Sequence, residues 1–543
     1  MVSFTQQRLN FKYITVTMSY PPASSSPVET RERRRSFLDY GGINSISNFA
    51  SSYSRAQTYI GSTFLESEIV EDLSPNTSPH LDPQNAIDST IEEYAVEGVR
   101  PSKQAQDQIN SFSFPHYDNE ESPLIGRRSS RFSAHLPLIQ GNSTAPQTIF
   151  NSINTLMGIG MLSLPFGLRL SGWFFGSALL LCSAILTTIT AKSLGKILKR
   201  HPQLNTYGDI AQLYGGNTFS YIVTTIFSID LYGATVSMIL MFTDSFSLLL
   251  PDVSRTYLKA FIVTCTFILS LFPLSILSML SLVGIICTLN IILIILVCGL
   301  VVDSTPGSLL VPAVTNLYPV DYKYLLLSIG IFMAPWGGHP VFPELFRDMR
   351  HPSKYATTCN VSFSITFGLD FSLAAMGFLM FGASCEDSLV KNVLSNPIYP
   401  GWVNPVFCLL MGLLPLSKLP LIAKPIITVY ENMFNLHPKI VVDAKGNPKT
   451  QSLTVKRVVG RAIFCLILLI LSLFFNSFGK LVSFLGSAIC YTICLTLPLM
   501  FYLHFFKDDL NWYTKIIIRI FIGLSATASV VGTYASITMD VGI

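Results

Sequence analysis

The sequence predicts an all-α polytopic membrane protein, and three observations carry that prediction. Half of the 543 residues are hydrophobic and only 13% are charged, with a mean hydropathy of +0.48. The polar residues gather in a leading segment, 1–144, rich in Ser, Pro, Asn and charge. The rest of the chain is a succession of apolar runs of about 20 residues, the length a helix needs to cross about 30 Å of hydrocarbon.

The leading segment lacks the continuous apolar stretch of a signal peptide. Runs such as "YPPASSSPVETRERRRS" and "EDLSPNTSPHLDP" have too little apolar content to bury a core, so a disordered tail is expected over 1–144. Within it "RRRS" (Arg33 to Ser36) and "RRSS" (Arg127 to Ser130) have the form of sites for a basic-directed kinase, beside the plainer reading of a solvated charged tail. Membrane targeting then falls to the first apolar helix.

The remainder, 145–543, reads as the membrane domain, with about eleven spans. They lie near 146–169, 173–194, 218–243, 257–274, 276–302, 323–346, 355–382, 402–429, 459–477, 480–506 and 513–537, with bounds good to about three residues. The fourth and fifth nearly merge around Pro273 and Ser275, so ten is the competing count. Basic residues crowd the loops after even spans, at Lys196, Lys199, Arg200, Arg347, Arg350, Lys354, Lys445, Lys449, Lys456, Arg457 and Lys507. Loops after odd spans carry only Arg169, Arg255, Lys323, Lys391 and Lys480. Since positive charge favours the cytosolic side, the tail, with Arg127, Arg128 and Arg131, is expected in the cytosol and the C-terminus across the membrane. "NST" (Asn142 to Thr144) would then face cytosol, which rules it out as a glycosylation site.

Nine of the ten cysteines fall in or beside apolar runs, where cysteine is a small packing residue. Only Cys385 sits in a far-side loop, so no disulfide is expected there. A net charge of +4 with no basic–aromatic surface gives no reason to expect nucleic acid. No G-x-S-x-G, H-E-x-x-H, phosphate loop or Cys–His metal spacing is present, so neither an enzyme nor a metal or cofactor site is expected.

Two spans carry helix breakers at mid-membrane, which for either span alone also fits an ordinary proline kink with close helix packing, and which taken together read as a pair of breaks. The first, "TIFNSINTLMGIGMLSLPFGLRLSGW", carries Gly158, Gly160 and Pro165, and the sixth carries Pro335, Gly337, Gly338 and Pro340 in "IFMAPWGGHPVFPEL". Glycine costs about 1 kcal/mol in a helix and proline about 3 kcal/mol. Backbone left unpaired in lipid costs more, so breaks persist where they line a cavity or are buried in protein. They open corresponding halves, 146–302 and 323–506, as in transporters with a 5+5 inverted repeat, with 513–537 an extra helix. Freed N–H groups suit a carboxylate and freed carbonyls an ammonium; an amino acid carries both.

At these residues the sequence resembles the amino acid/auxin permease family, and closely its fungal and plant vacuolar amino acid transporters. Beyond the first span, the likeness runs through "TYGDIAQLYG" (Thr206 to Gly215), similar to the family's cytosolic loop before span three, and "MFTDSFSLLLP" (Met241 to Pro251). It continues in "LSMLSLVGI" (Leu277 to Ile285), "GGHPVFPEL" (Gly337 to Leu345), "GFLMFG" (Gly377 to Gly382) and "PLSKLPLIAKP" (Pro415 to Pro425). The resemblance covers about 145–540 in collinear order and leaves out the tail. It implies the sodium-symporter-like fold of the APC superfamily and secondary active transport of amino acids, proton-coupled in the vacuolar members. It further implies antiport of neutral amino acids into the vacuole, or export in other branches. An amino-acid sensor signalling through a cytosolic tail, with kinases or signalling proteins as partners, is the rival reading.

Ionisable groups at membrane depth are costly and are site candidates by default. Asp230 lies in span three, which borders the site in the implied architecture, as a proton or substrate group or part of a packed polar network. Asp370, mid-span seven, departs from the family pattern, and structural pairing is the favoured reading. Ser417 and Lys418 fall where sodium-coupled relatives hold a cation, so the ammonium is a stand-in for sodium or reaches the interface; Lys424 more simply reaches the interface. His339 titrates between cytosolic and acidic pH or hydrogen-bonds broken backbone. Glu344 and Asp348 are expected to pair with Arg347, Arg350 or Lys354. For the substrate the candidates are Asn151 and Asn154, on one helix face, Gly158 and Gly160, and Ala334, Trp336, Gly337 and Gly338.

Overall fold

A computed structural model describes residues 48–52, 55, 141–272, 274–433, 439–442, 448–451, 454–475 and 477–539. The serine sites at Ser36 and Ser130, and Arg127, Arg128 and Arg131, lie outside these residues. So does most of the tail expected to be disordered.

Helix α1 (Ala145–Leu156) starts at a capping box, with the Gln147 side chain accepting from the Thr144 N–H at 2.9 Å. It stops at Met157 and Gly158, passes through a 3-10 stretch (Ile159–Ser163) and resumes as α2 (Leu164–Arg200). Gly172 breaks α2 with φ of 70°, a conformation that favours glycine. A Cβ there would also meet the Leu317 carbonyl at 2.7 Å. The N–H groups freed by this break, on Trp173 and Phe174, are taken by Asn316 and Leu317 carbonyls at 3.1 and 3.0 Å. Spans one and two therefore share one helix axis only in name.

Helix α3 (Tyr207–Leu249) is broken at Gly215 and Gly216. The segment from Tyr207 to Tyr214, expected as a loop, is helical. Asp209 caps it by accepting from the Thr206 N–H at 2.9 Å, and the buried Tyr207 hydroxyl donates to the Ile493 carbonyl at 2.7 Å. Next in the chain are α4 (Arg255–Ser270), α5 (Leu274–Val301) and α6 (Tyr322–Met333). The sixth span then breaks into 3-10 turns at Ala334–Trp336 and His339–Val341 before α7 (Phe342–Arg347). Beyond it come α8 (Tyr355–Phe381), the short α9 (Leu389–Ser395) and α10 (Val403–Met433), which contains Pro415, Pro420 and Pro425. A hairpin, β1 (Lys439–Val442) against β2 (Pro448–Gln451), joins α10 to α11 (Val455–Phe474). Helix α12 (Phe478–Phe484) runs through a π-helical stretch (Leu485–Thr496) into α13 (Leu497–Phe505), and α14 (Trp512–Thr538) ends the described chain.

Among the described residues nine helical stretches are long and apolar enough to cross a membrane. The span count from sequence differs for two physical reasons. The second half of span one is merged with span two in Gly160–Arg200, and α4, at 16 residues, reaches only about 24 Å at 1.5 Å per residue.

The helices sort into two packed groups. α8 packs against α1 and α2, and α2 against α6, while α10 is seated against α3, α4 and α5. Trp336, Phe332, Phe342, Phe363 and Phe378 are fully buried, with Trp336 stacked on Phe363 at 5.7 Å. Where α6 crosses the α12 region, two glycines permit backbone contact. A Cβ on Gly330 would lie 2.0 Å from the Ser483 carbonyl oxygen, and one on Gly486 would lie 1.9 Å from that of Gly330.

Part of the segment expected to be disordered is ordered. Residues 48–52 and 55 are helical and lie on the start of α1, at the tail side of the bundle. Phe49 meets Phe150 edge-on at 5.1 Å. Ser52 Oγ lies 2.5 Å from Ser143 Oγ, and Arg55 pairs with Asp348 at 3.0 Å. Asp348 also accepts from Ser143. Its ion pair is thus with the tail rather than with Arg347, Arg350 or Lys354. Arg347 instead donates to Leu198, His201 and Leu204 carbonyls at 2.7 to 3.0 Å, satisfying backbone at the end of α2.

At the opposite, far side, Asp244 is buried and pairs with Arg255 and Lys391. Lys391 also reaches Asp387 at 2.7 Å, and Asp387 accepts from the Gly479 N–H at 3.2 Å at the head of α12. All ten cysteines are free. Burial pushes the Cys385 thiol up to about 12, against the opposing pull of Arg169.

Three measurements would register these contacts. Gly330→Val should destabilise the protein by about 1–3 kcal/mol, read as a lowered unfolding midpoint. Cys385, with almost no thiolate at neutral pH, should resist maleimide in the intact protein; modification as fast as in the unfolded chain would contradict its burial. Arg55→Ala should speed amide hydrogen exchange across 48–55 severalfold while leaving α1 unchanged.

Candidate substrate site

The two broken spans meet at mid-bundle. At the first break the Met157 N–H bonds to the Ile153 carbonyl at 2.7 Å, and the Gly158 N–H turns back to Leu156 at 2.7 Å. The Asn154 carbonyl thereby loses its helical donor. At the second break the Gly338 N–H turns back to Trp336 at 2.8 Å. Gly160 faces Ala334, and Gly338 comes closest to the first break, where an added Cβ would sit 3.0 Å from the Thr155 methyl and 3.2 Å from the Leu156 side chain. Small residues on both sides are what let two lengths of non-helical backbone share one space.

Around that junction lie two adjoining hollows of about 150 Å³ each. Thr155, Gly158, Asp230, Ala234, Met238, Gly337 and Ile422 line both. The first reaches the tail-side half of the bundle past Phe227, Val341 and Pro425 and also touches Asn154, Gly338 and Lys418. The second runs beneath Gly160, Ala334, Pro335 and Cys490.

Of the residues singled out in sequence, the structure gathers Asn154, Gly158, Gly160, Ala334, Gly337, Gly338, Asp230 and Lys418 on this cavity. The Asn154 side-chain amide donates to Ser281 Oγ at 2.5 Å, while its side-chain oxygen, Oδ1, is buried with no hydrogen-bond partner among the described residues. Lys418 is only 7% exposed, and its ammonium donates to the Met157 carbonyl. A cation from α10 is thus fixed on backbone that the first break releases.

Four others sit elsewhere. Trp336 and His339 point behind the second break, away from the cavity, because their rings complete the packing against α8 and α2. Trp336 stacks on Phe363. His339 Nε2 lies 2.9 Å from Thr190 Oγ1 and 3.1 Å from the Thr187 carbonyl. Asn151 donates to Ser52 Oγ at 2.8 Å and so holds the tail segment, one turn below the cavity. Ser417 donates to the Leu414 carbonyl at 2.7 Å in its own helix and packs over Gly284, where a Cβ would come within 2.6 Å of its Oγ. Asp370, expected to be paired, is fully buried, and neither carboxyl oxygen has a hydrogen-bond partner among the described residues.

Sequence reasoning passed over Thr155, Ala234, Met238, Ile422 and Cys490. Ala234 and Met238 come after Asp230 at intervals of four, and Ile422 comes four after Lys418, so helical periodicity would have found them once the charged residues were chosen. Cys490 comes from the π-helical stretch, and no local pattern announces it.

Towards the far side of the bundle, loops and helices are tied together by two further contacts. Arg169 donates to the Cys385 carbonyl at 2.5 Å, and Trp173 Nε1 to Thr315 Oγ1 at 3.1 Å.

Relatives among known proteins are transporters. The chain is 26% identical over 447 residues to the amino acid transporter AVT1E of Arabidopsis thaliana, covering 78% of this chain and 81% of that protein. It is 28% identical over 406 residues to AVT1H of the same plant, covering 73% and 89%. Among solved structures, a manganese transporter of Eremococcus coleocola superposes with a TM-score of 0.47 at 13% identity, over 72% of this chain and 87% of that one. The profile of the transmembrane amino acid transporter protein family matches residues 141–538. The chain is a multi-pass membrane protein of that family, a transporter of amino acids and not an enzyme.

Proposed function

We propose that the protein is a proton-coupled secondary active transporter that moves neutral amino acids across the vacuolar membrane, by antiport into the vacuole. The observation that carries this reading is the meeting of both broken helices with Asp230 and Lys418 on one cavity. There the α-carboxylate has within its reach the backbone N–H groups at the head of the 3-10 stretch that follows Gly158, from Ile159 and Gly160. The α-ammonium has the free Asn154 Oδ1 and the carbonyls from Ala334 to Gly338. Met238, Ile422, Leu421 and Phe227 leave an apolar wall for the side chain, which suits a neutral amino acid. Asp230 carries the proton, and Lys418 holds the Met157 carbonyl in the manner of a permanent cation. Asn151, Trp336, His339 and Ser417 support the breaks from behind. The vacuolar setting rests on the resemblance to vacuolar members of the family, with the tail cytosolic and the C-terminus in the lumen.

The same reading takes the chain as eleven spans in two inverted halves of five. Its support is an exchange of packing partners. Contact of α2 with α6 is matched by contact of α8 with α1; α3 with α4 by α10 with α11; and α4 with α10 by α11 with α3. Rocking α1, α2, α6 and α8 against the rest would open the cavity to alternate sides.

The direct test is flux in proteoliposomes with the pH gradient set in each sense. Accumulation of a neutral amino acid in the acidic compartment is expected, whereas saturable binding with no flux under either gradient would turn the reading towards a sensor. Asp230→Asn should reduce proton-driven flux by about tenfold or more while sparing amino acid exchange; equal loss of both would make the aspartate structural. Met238→Trp should raise KM for leucine about tenfold and leave alanine little affected. A uniform change for both would remove the apolar wall from the site.

A further inference from the structure

Asp370, fully buried in α8, is an acid that the proposed transport cycle leaves unused, and neither of its carboxyl oxygens has a hydrogen-bond partner among the described residues. The register of α8 against the first span fixes what it faces. Ser362 Oγ lies 3.4 Å from the Ile149 carbonyl, and a Cβ on Gly377 would lie 2.5 Å from Pro165. Ser362, Thr366, Asp370 and Gly377 recur at helical spacing and share one face. Asp370 is eight residues beyond the first contact and seven before the second, which brings it level with Met157 and Gly158. The carboxyl therefore faces the break from the side of α8, while Lys418 reaches the same break from α10.

Both oxygens of this carboxyl lack a hydrogen-bond partner among the described residues, and so does Thr366 Oγ1, one turn below. Asp370 and Thr366 are each 0% exposed. Buried polar atoms are otherwise almost always satisfied, and an orphaned set calls for an ion or a functional role. The groups on this face are a carboxylate and a hydroxyl, and the facing first break offers backbone carbonyls. All are hard oxygen donors with a single negative charge, which suits a monovalent alkali cation better than a divalent or thiophilic metal.

We propose that Asp370 and Thr366, with the backbone released near Gly158, form a binding site for one sodium-like monovalent cation. The bound cation replaces the carboxyl proton one for one, so lowering pH weakens its binding. A cation there lies against the backbone that shapes the substrate cavity, and its occupancy helps hold the break in form. The site stands beside proton carriage at Asp230 and does not depend on it.

The test uses the purified full chain in nanodiscs, with sodium chloride compared with N-methylglucamine chloride at equal ionic strength. Sodium should raise the unfolding midpoint saturably, and radioactive sodium should bind at one site per chain. Asp370→Asn should weaken binding at least tenfold, and Asp230→Asn should leave it intact. Thr366→Val should weaken it severalfold, an arm that remains if Asp370→Asn fails to fold. Sodium no better than the organic cation would overturn the proposal, as would a response to pH alone, which would make Asp370 a buried carboxylic acid. Unchanged affinity in Thr366→Val, or in a folded Asp370→Asn, would overturn it too. Sodium binding without any amino acid flux would count against the transport reading and leave the cation site standing.

Discussion

In hydrocarbon every backbone N–H and C=O must find a partner within the protein, and the rest of this fold depends on how that demand is met at two places. Spans one and six both stop being helical at mid-bundle, where water cannot repair the loss. Each break is tolerated because the other lies against it and because small residues at both allow close approach. The released groups then become the polar surface of a cavity whose remaining wall is apolar. A feature that would be a defect in one isolated helix is thereby turned into a recognition surface.

The surroundings are arranged to keep the breaks in form. Lys418 anchors the Met157 carbonyl on one side, and the α8 face with Asp370 closes the other. Behind the second break, the Trp336–Phe363 stack and the contacts of His339 with α2 take up space that a helix would have filled. The closely packed glycines at Gly330 and Gly486 fix the sixth span against the tenth. The cavity is shaped from its periphery inward, and few of the residues that shape it touch it.

Both ends of the bundle are tied by charge. On the far side, Asp244 and Asp387 are held by Arg255 and Lys391, linking the end of α3 and the start of α4 to α9 and the loop before it. On the tail side, Asp348 holds Arg55 and Ser143, joining the tail segment to the ends of both broken spans. These ties lie where a rocking motion would have to separate helix ends. Asn151 is the residue whose reading changed most, from a substrate ligand to an anchor for Ser52.

The sequence by itself determined the membrane class, the position of both breaks and the family. All three are local properties: apolar length, glycine and proline content, and ordered short motifs. It also supplied Asp230 and Lys418, because a charge within an apolar run is conspicuous without any knowledge of its neighbours. Only the tertiary structure decided which face each side chain presents. His339 and Trp336 lie one residue from cavity-lining glycines, yet they point behind the break, since in a 3-10 turn adjacent residues diverge by about a third of a turn. Cys490 and the docking of Ser52 depend on contacts between segments far apart in the chain. The same is true of Asp370, whose significance lies in the lack of a partner among the described residues, a fact that exists only once its neighbours have been placed.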